Sequence, residues 1–136
     1  MEDKPDKVVL IVGCGYIGRR VGKLLLEKNR NVTGCVRGAE SEARLIAQGI
    51  DTLRLDLDAG PSESSISGFD EVFYFAPPPR TGDVDTRMSA FLRALVSNRL
   101  RRIVYISTSA VYGDCNGAWI TESQPLRPLT GRGRRR

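Results

Sequence analysis

The chain has 136 residues, of which 40% are hydrophobic and 27% charged. That is the length of one domain, able to bury a core without metals or disulfides, and the composition argues against disorder. The formal net charge is +5, and Arg127, Arg132, Arg134, Arg135 and Arg136 account for all of it, so the body of the chain is neutral. A basic terminus without interleaved aromatic residues reads as a solvated or frayed end and argues against nucleic acid as a partner. Cys14, Cys35 and Cys115 form no CxxC pair and there is no histidine, which argues against a metal site and fits a reducing compartment. Met1–Pro5 carries no apolar signal core, and the apolar runs of about six residues fall well short of the ~20 that span a bilayer. The expectation is a soluble, cytoplasmic protein with no membrane partner.

Val8-Val9-Leu10-Ile11-Val12 is a continuous apolar run of the kind that a parallel strand buried on both faces requires. Ile17, Val21, Leu24 and Leu25 then recur at helical spacing, with Arg19, Arg20, Lys23, Glu27 and Lys28 on the other faces. Asn29-Arg30-Asn31 breaks this helix, and residues 32–36 read as a second strand. A short helix is predicted over Glu40–Gln48, with Leu45, Ile46 and Ala47 as its apolar contribution and Gly49 as its stop. Residues 51–55 alternate as a third strand, and 58–68 read as a loop with room for one helical turn. Residues 71–76 form a fourth strand, which Pro77-Pro78-Pro79 ends because proline cannot donate into a ladder. Met88, Phe91, Leu92, Leu95 and Val96 mark a helix over 83–98, and 102–107 a fifth strand. Strands alternating with helices predict an α/β fold: a doubly wound parallel sheet with helices on both faces. Beyond residue 110 the chain reads as loop, so the sheet is truncated after its fifth strand, as in the front part of a longer protein or a natural short form.

Gly13-Cys14-Gly15-Tyr16-Ile17-Gly18 stands between the first strand and the first helix, the context in which GxGxxG signals a Rossmann dinucleotide site. Gly13 permits the tight turn, Gly15 lets a pyrophosphate approach the backbone, and Gly18 lets the helix pack closely on the sheet. The unpaired N–H groups at the helix start, including those near Tyr16 and Ile17, attract phosphate. At the end of the second strand, where an NAD site carries Asp or Glu, this chain has Arg37. A guanidinium grips a 2′-phosphate through paired hydrogen bonds, so NADP is favoured, while Glu40 and Glu42 lie close enough to keep NAD open.

The turn at 13–18, Asp56-Leu57 and Ser107-Thr108-Ser109-Ala110-Val111-Tyr112-Gly113 together resemble the extended and atypical short-chain dehydrogenase/reductase superfamily. Within it the match is to the NAD(P)-dependent epimerase/dehydratase group, including nucleoside-diphosphate-sugar epimerase-like members. The resemblance implies that Asp56 accepts from the adenine amino group and that Leu57 packs near the adenine. It places the backbone of Ala76, Pro77 and Pro78 beside the ribose and nicotinamide half, and it makes Thr108 the catalytic hydroxyl. It also implies a small-molecule substrate, with a nucleotide sugar as one class.

One departure bears on the chemistry. The family's Tyr-x-x-x-Lys pair falls on Arg132 and Arg136, and a guanidinium stays protonated, so it cannot serve as acid/base. Residues 1–126 are thus expected to form the dinucleotide-binding domain and 127–136 an arginine-rich tail, with the substrate domain absent. Two readings stay open: the cofactor-binding part of an epimerase/reductase-like enzyme, or a non-catalytic dinucleotide-binding or sensing module. Apolar surface at the truncated edge points to a homo-oligomer.

Overall fold

The computed structural model describes residues 8–95 and 100–136. Its strands are β1 (Val8–Val12), β2 (Asn31–Val36), β3 (Asp51–Arg54), β4 (Glu71–Tyr74) and β5 (Arg102–Tyr105). They form one sheet in the order β3-β2-β1-β4-β5, every neighbouring pair parallel. The helices are α1 (Tyr16–Leu26), α2 (Ala39–Ile46), α3 (Thr86–Ala94) and a final single turn, α4 (Gly131–Arg134). Single 3-10 turns occupy Glu63–Ser65 and Ser109–Tyr112.

Strand β1 shows why the fold takes three layers. Side chains alternate across a strand, and here both sets are buried. Leu10 and Val12 join Val72, Tyr74 and Phe91 of α3 in one core, while Val9 and Ile11 join Val32, Leu45 and Ile50 in another. Val21 and Leu25 of α1 pack on the second core, and Met88 and Ala94 of α3 on the first. The helices therefore cover both faces, as the continuous apolar run required.

Three expectations need correction. Ile46 is 61% exposed and Ala47 is exposed too, so α2 contributes only Leu45 to the core. A helix this short presents one residue per turn to the sheet. Leu92 is likewise 45% exposed, leaving Phe91 and Leu95 as the buried part of the third helix's stripe, while Val96 lies outside the described residues. The arginine tail is not a frayed end. The segment doubles back so that Arg127 donates its N–H to Val111 O, and α4 packs on the 109–112 turn. Arg134 pairs with Asp83 at 3.0 Å, Arg135 donates to Gly82 O, and Arg136 donates to Ile106 O and Ala76 O. These contacts span 30 to 60 residues of sequence, which no local pattern could report.

Candidate functional site

Strand order sets the position of the site. From β1 the chain passes to β2 and β3 on one side, then crosses to β4 and β5 on the other. At that reversal the connections leave β1 and β4 in opposite directions and open a crevice beyond their carboxyl ends. A cleft of ≈ 440 Å³ lies there, lined by residues following β1, β2, β3, β4 and β5. That volume suits a small-molecule or cofactor pocket.

The glycine turn forms its floor. Gly13 has φ +84°, and a Cβ there would stand 2.4 Å from Ala76 N, so β1 and β4 approach too closely for any side chain. A Cβ on Gly18 would stand 2.9 Å from Gly13 O and 3.0 Å from Ile11 Cγ2, the close helix–strand approach expected of it. Gly15 is different: a Cβ there meets nothing within 4 Å, so the space before the start of α1 is open. Gly15 caps α1 without a side-chain hydrogen bond, which leaves the first-turn N–H groups to face that space. This is the arrangement a pyrophosphate fits.

Gly13, Gly15, Tyr16, Ile17, Arg37, Asp56, Leu57, Ala76 and Pro77 all line the cleft. Gly18 lies beneath it, buried against β1. Pro78 and Thr108 are not among the lining residues. Thr108 is half-buried, and its Oγ1 accepts a long 3.4 Å bond from Ala110 N, so it caps the 109–112 turn. Asp56 Oδ1 accepts from Asp58 N at 3.0 Å, which leaves its second oxygen for a ligand. Leu57 gives an apolar wall that packs on the core.

The cleft also contains residues that the sequence reading passed over: Cys14, Cys35, Ser41, Asp58, Phe75, Arg87 and Ile106 among them. Ser41, on the first turn of the second helix just after Arg37, carried a readable signal. Arg87 and Asp58 did not, being 29 residues apart. Arg87 grips both carboxylate oxygens of Asp58, at 2.6 and 2.8 Å, and donates to Pro77 O at 3.1 Å. Those hydrogen bonds hold the Asp58 carboxyl below the usual carboxylate range against the opposing effect of burial. Burial pushes the Cys14 thiol up to about 11, opposed by the Arg19 cation, and the Cys35 thiol up to about 12. Both thiols are therefore protonated at neutral pH and act as small apolar walls.

The acidic residues near Arg37 are engaged elsewhere. Glu42 accepts from Arg54 at 2.6 and 3.0 Å and from Thr52 at 3.4 Å, and Glu40 pairs with Arg44 one turn along the helix. Neither lines the cleft. Arg37 does, and among the described residues it has no hydrogen-bond or ion-pair partner.

Strand order, glycine turn and cleft together define a dinucleotide-binding α/β domain. Residues 13–130 match the model of the NAD(P)H-binding family, and the chain belongs to that family. It is 27% identical to Protein YeeZ of Escherichia coli strain K12 over 94% of this chain and 50% of that protein. It is 26% identical to UDP-glucose 4-epimerase of Corynebacterium glutamicum over 93% of this chain and 42% of that one. Among solved structures, a functionally unknown conserved protein from Silicibacter pomeroyi matches with TM-score 0.77 at 27% identity, over 94% of this chain and 44% of that one. The chain thus spans about half the length of the curated relatives it matches. It is an NAD(P)-binding domain that resembles those of the epimerase/dehydratase/reductase group. Among the described residues no helix is long and apolar enough to cross a membrane.

Proposed function

We propose that this chain is the NADP-binding part of an epimerase- or reductase-like enzyme working in the cytoplasm on a small molecule, with a nucleotide sugar as the favoured class. The observation that carries the NADP preference is the pairing pattern at the end of β2. Arg37 lines the cleft with no hydrogen-bond or ion-pair partner among the described residues, within electrostatic reach of Asp58, while Glu40 and Glu42, the carboxylates that could have held a ribose hydroxyl, are each tied to an arginine. Ser41 lines the same corner and offers a hydroxyl to the 2′-phosphate alongside the Arg37 fork. Supporting the substrate class is the kinship with a UDP-glucose 4-epimerase.

The residues divide into stations along the cleft. Arg37 and Ser41 hold the 2′-phosphate, Asp56 and Leu57 the adenine, and the turn at Gly13–Ile17 the pyrophosphate. Ala76 and Pro77 flank the ribose and nicotinamide half. Bound there, the dinucleotide supplies hydride transfer. Thr108, just outside the lining, is the hydroxyl assigned to the substrate.

A second reading, a non-catalytic sensing module, is favoured by one observation. Arg132 is exposed and Arg136 is tied to the carbonyls of Ile106 and Ala76, so no acid/base stands at the two positions where the resemblance calls for one. Redox turnover by the longest natural form of the protein would remove that reading.

Titration with NADPH and with NADH, followed by nicotinamide fluorescence, tests the cofactor assignment. Charge-assisted hydrogen bonds of about 1.5–3 kcal/mol predict NADPH binding roughly 10- to 100-fold tighter, with the margin lost in Arg37→Asp. Equal affinity for the two cofactors in the wild-type chain would reject the 2′-phosphate contact.

A further inference from the structure

We propose that Arg87 is a positioning residue: a strap across the mouth of the crevice that sets the spacing of the two walls between which the dinucleotide lies. This rests on the dinucleotide reading of the cleft. Its basis is one side chain joining two loops. Asp58 lies in the segment after β3, just beyond Asp56 and Leu57, which form the wall assigned to the adenine. Pro77 lies in the turn after β4, the wall assigned to the nicotinamide half. These walls come from strands on opposite sides of β1. Arg87, on the first turn of α3, fastens to both at once: Nε and one terminal nitrogen donate to the two Asp58 oxygens, and the other donates to Pro77 O.

The chemistry suits a strap better than a ligand contact. Three of the five guanidinium N–H donors, at least one on each nitrogen, are taken by protein acceptors, and its charge is matched by Asp58. The Arg87 side chain is 19% exposed and that of Asp58 55%, so the geometry of the paired bonds, more than the charge, sets the strap. The base of Arg87 is also fixed. Asp85, buried, caps α3 by accepting from Met88 N at 3.0 Å, and its other oxygen takes the Tyr105 hydroxyl at 3.3 Å. The strap is therefore anchored to β5 through α3. Loops are the mobile parts of such a site, and the walls here are loops.

NADPH titrations of Arg87→Gln, Arg87→Lys and Asp58→Ala test this, with circular dichroism and thermal melting confirming that each variant is folded. The expected result is roughly fivefold or greater weakening in all three, because a lysine keeps the charge but cannot bridge two loops. The double variant Arg87→Gln/Asp58→Ala should be no weaker than either single variant, since one link is lost in each case. If Arg87 were itself a phosphate ligand held back by Asp58, Asp58→Ala would bind NADPH more tightly. Tighter or unchanged binding in that variant overturns the proposal, as does wild-type affinity in Arg87→Lys. Hydrogen exchange of the ligand-free protein gives a second readout: amides at 56–60 and 80–84 should exchange faster in the variants, and unchanged rates at both segments overturn the strap. A wild-type chain that binds neither dinucleotide would instead remove the cofactor reading, and the exchange rates would still decide whether the strap exists.

Discussion

Replacing Gly13 and Gly15 one at a time with alanine separates the two tasks of the glycine turn. At Gly13 the added methyl would stand 2.4 Å from Ala76 N, 2.6 Å from Ala76 Cα and 2.8 Å from Phe75 C. All three atoms are backbone, so none can rotate away. The position also has φ +84°, where an L side chain costs about 1–2 kcal/mol. Overpacking adds typically 1–3 kcal/mol. Together these amount to about 2–5 kcal/mol of a total stability on the order of 5–15 kcal/mol, and a fall in Tm of about 10 °C or more. Gly15→Ala meets nothing within 4 Å and should melt within ~2 °C of the wild-type chain. Its methyl would occupy the space where the pyrophosphate approaches, so NADPH affinity should drop about tenfold or more. Differential scanning calorimetry and fluorescence titration on the two variants measure both effects. A Gly13→Ala protein as stable as wild type would refute the close approach of β1 and β4. Undiminished NADPH binding by Gly15→Ala would refute the turn as the phosphate seat.

Alkylation with iodoacetamide at pH 7.5 should modify Cys115 first and leave Cys14 and Cys35 intact in the folded chain, because burial raises both of the latter thiols to about 11 and about 12. Mass spectrometry that found Cys14 labelled as fast as Cys115 would show that the cleft wall opens. In the longest natural form of the protein, Thr108→Val should cut turnover about tenfold, the worth of a neutral hydrogen bond to substrate, and leave NADPH affinity within about twofold. Equal losses in both would mark Thr108 as a cap of the 109–112 turn and nothing more.

The strands and the glycine turn were legible because their causes are local. Five apolar residues in succession at 8–12 can be satisfied only by burial on both faces of a strand, and β1 forms over those residues. The step from that strand through three glycines to an amphipathic helix carried its own context, and nine of the twelve site residues read from sequence line one cleft. Even Arg37 was legible, since its place at the end of β2 follows from counting along the chain. What the sequence left open was which charges meet. Glu40 and Glu42 lie close enough to Arg37 in the chain to keep NAD open, and the pairing of Glu42 with Arg54 of β3 is a contact that only the fold makes. The arginine tail likewise looked solvated until the fold brought Asp83, Gly82 and Ile106 to it. Local periodicity records how a segment meets the core. Ion pairs between residues 29 or 51 positions apart depend on how strands are ordered in the sheet, and that order exists only once the chain has folded.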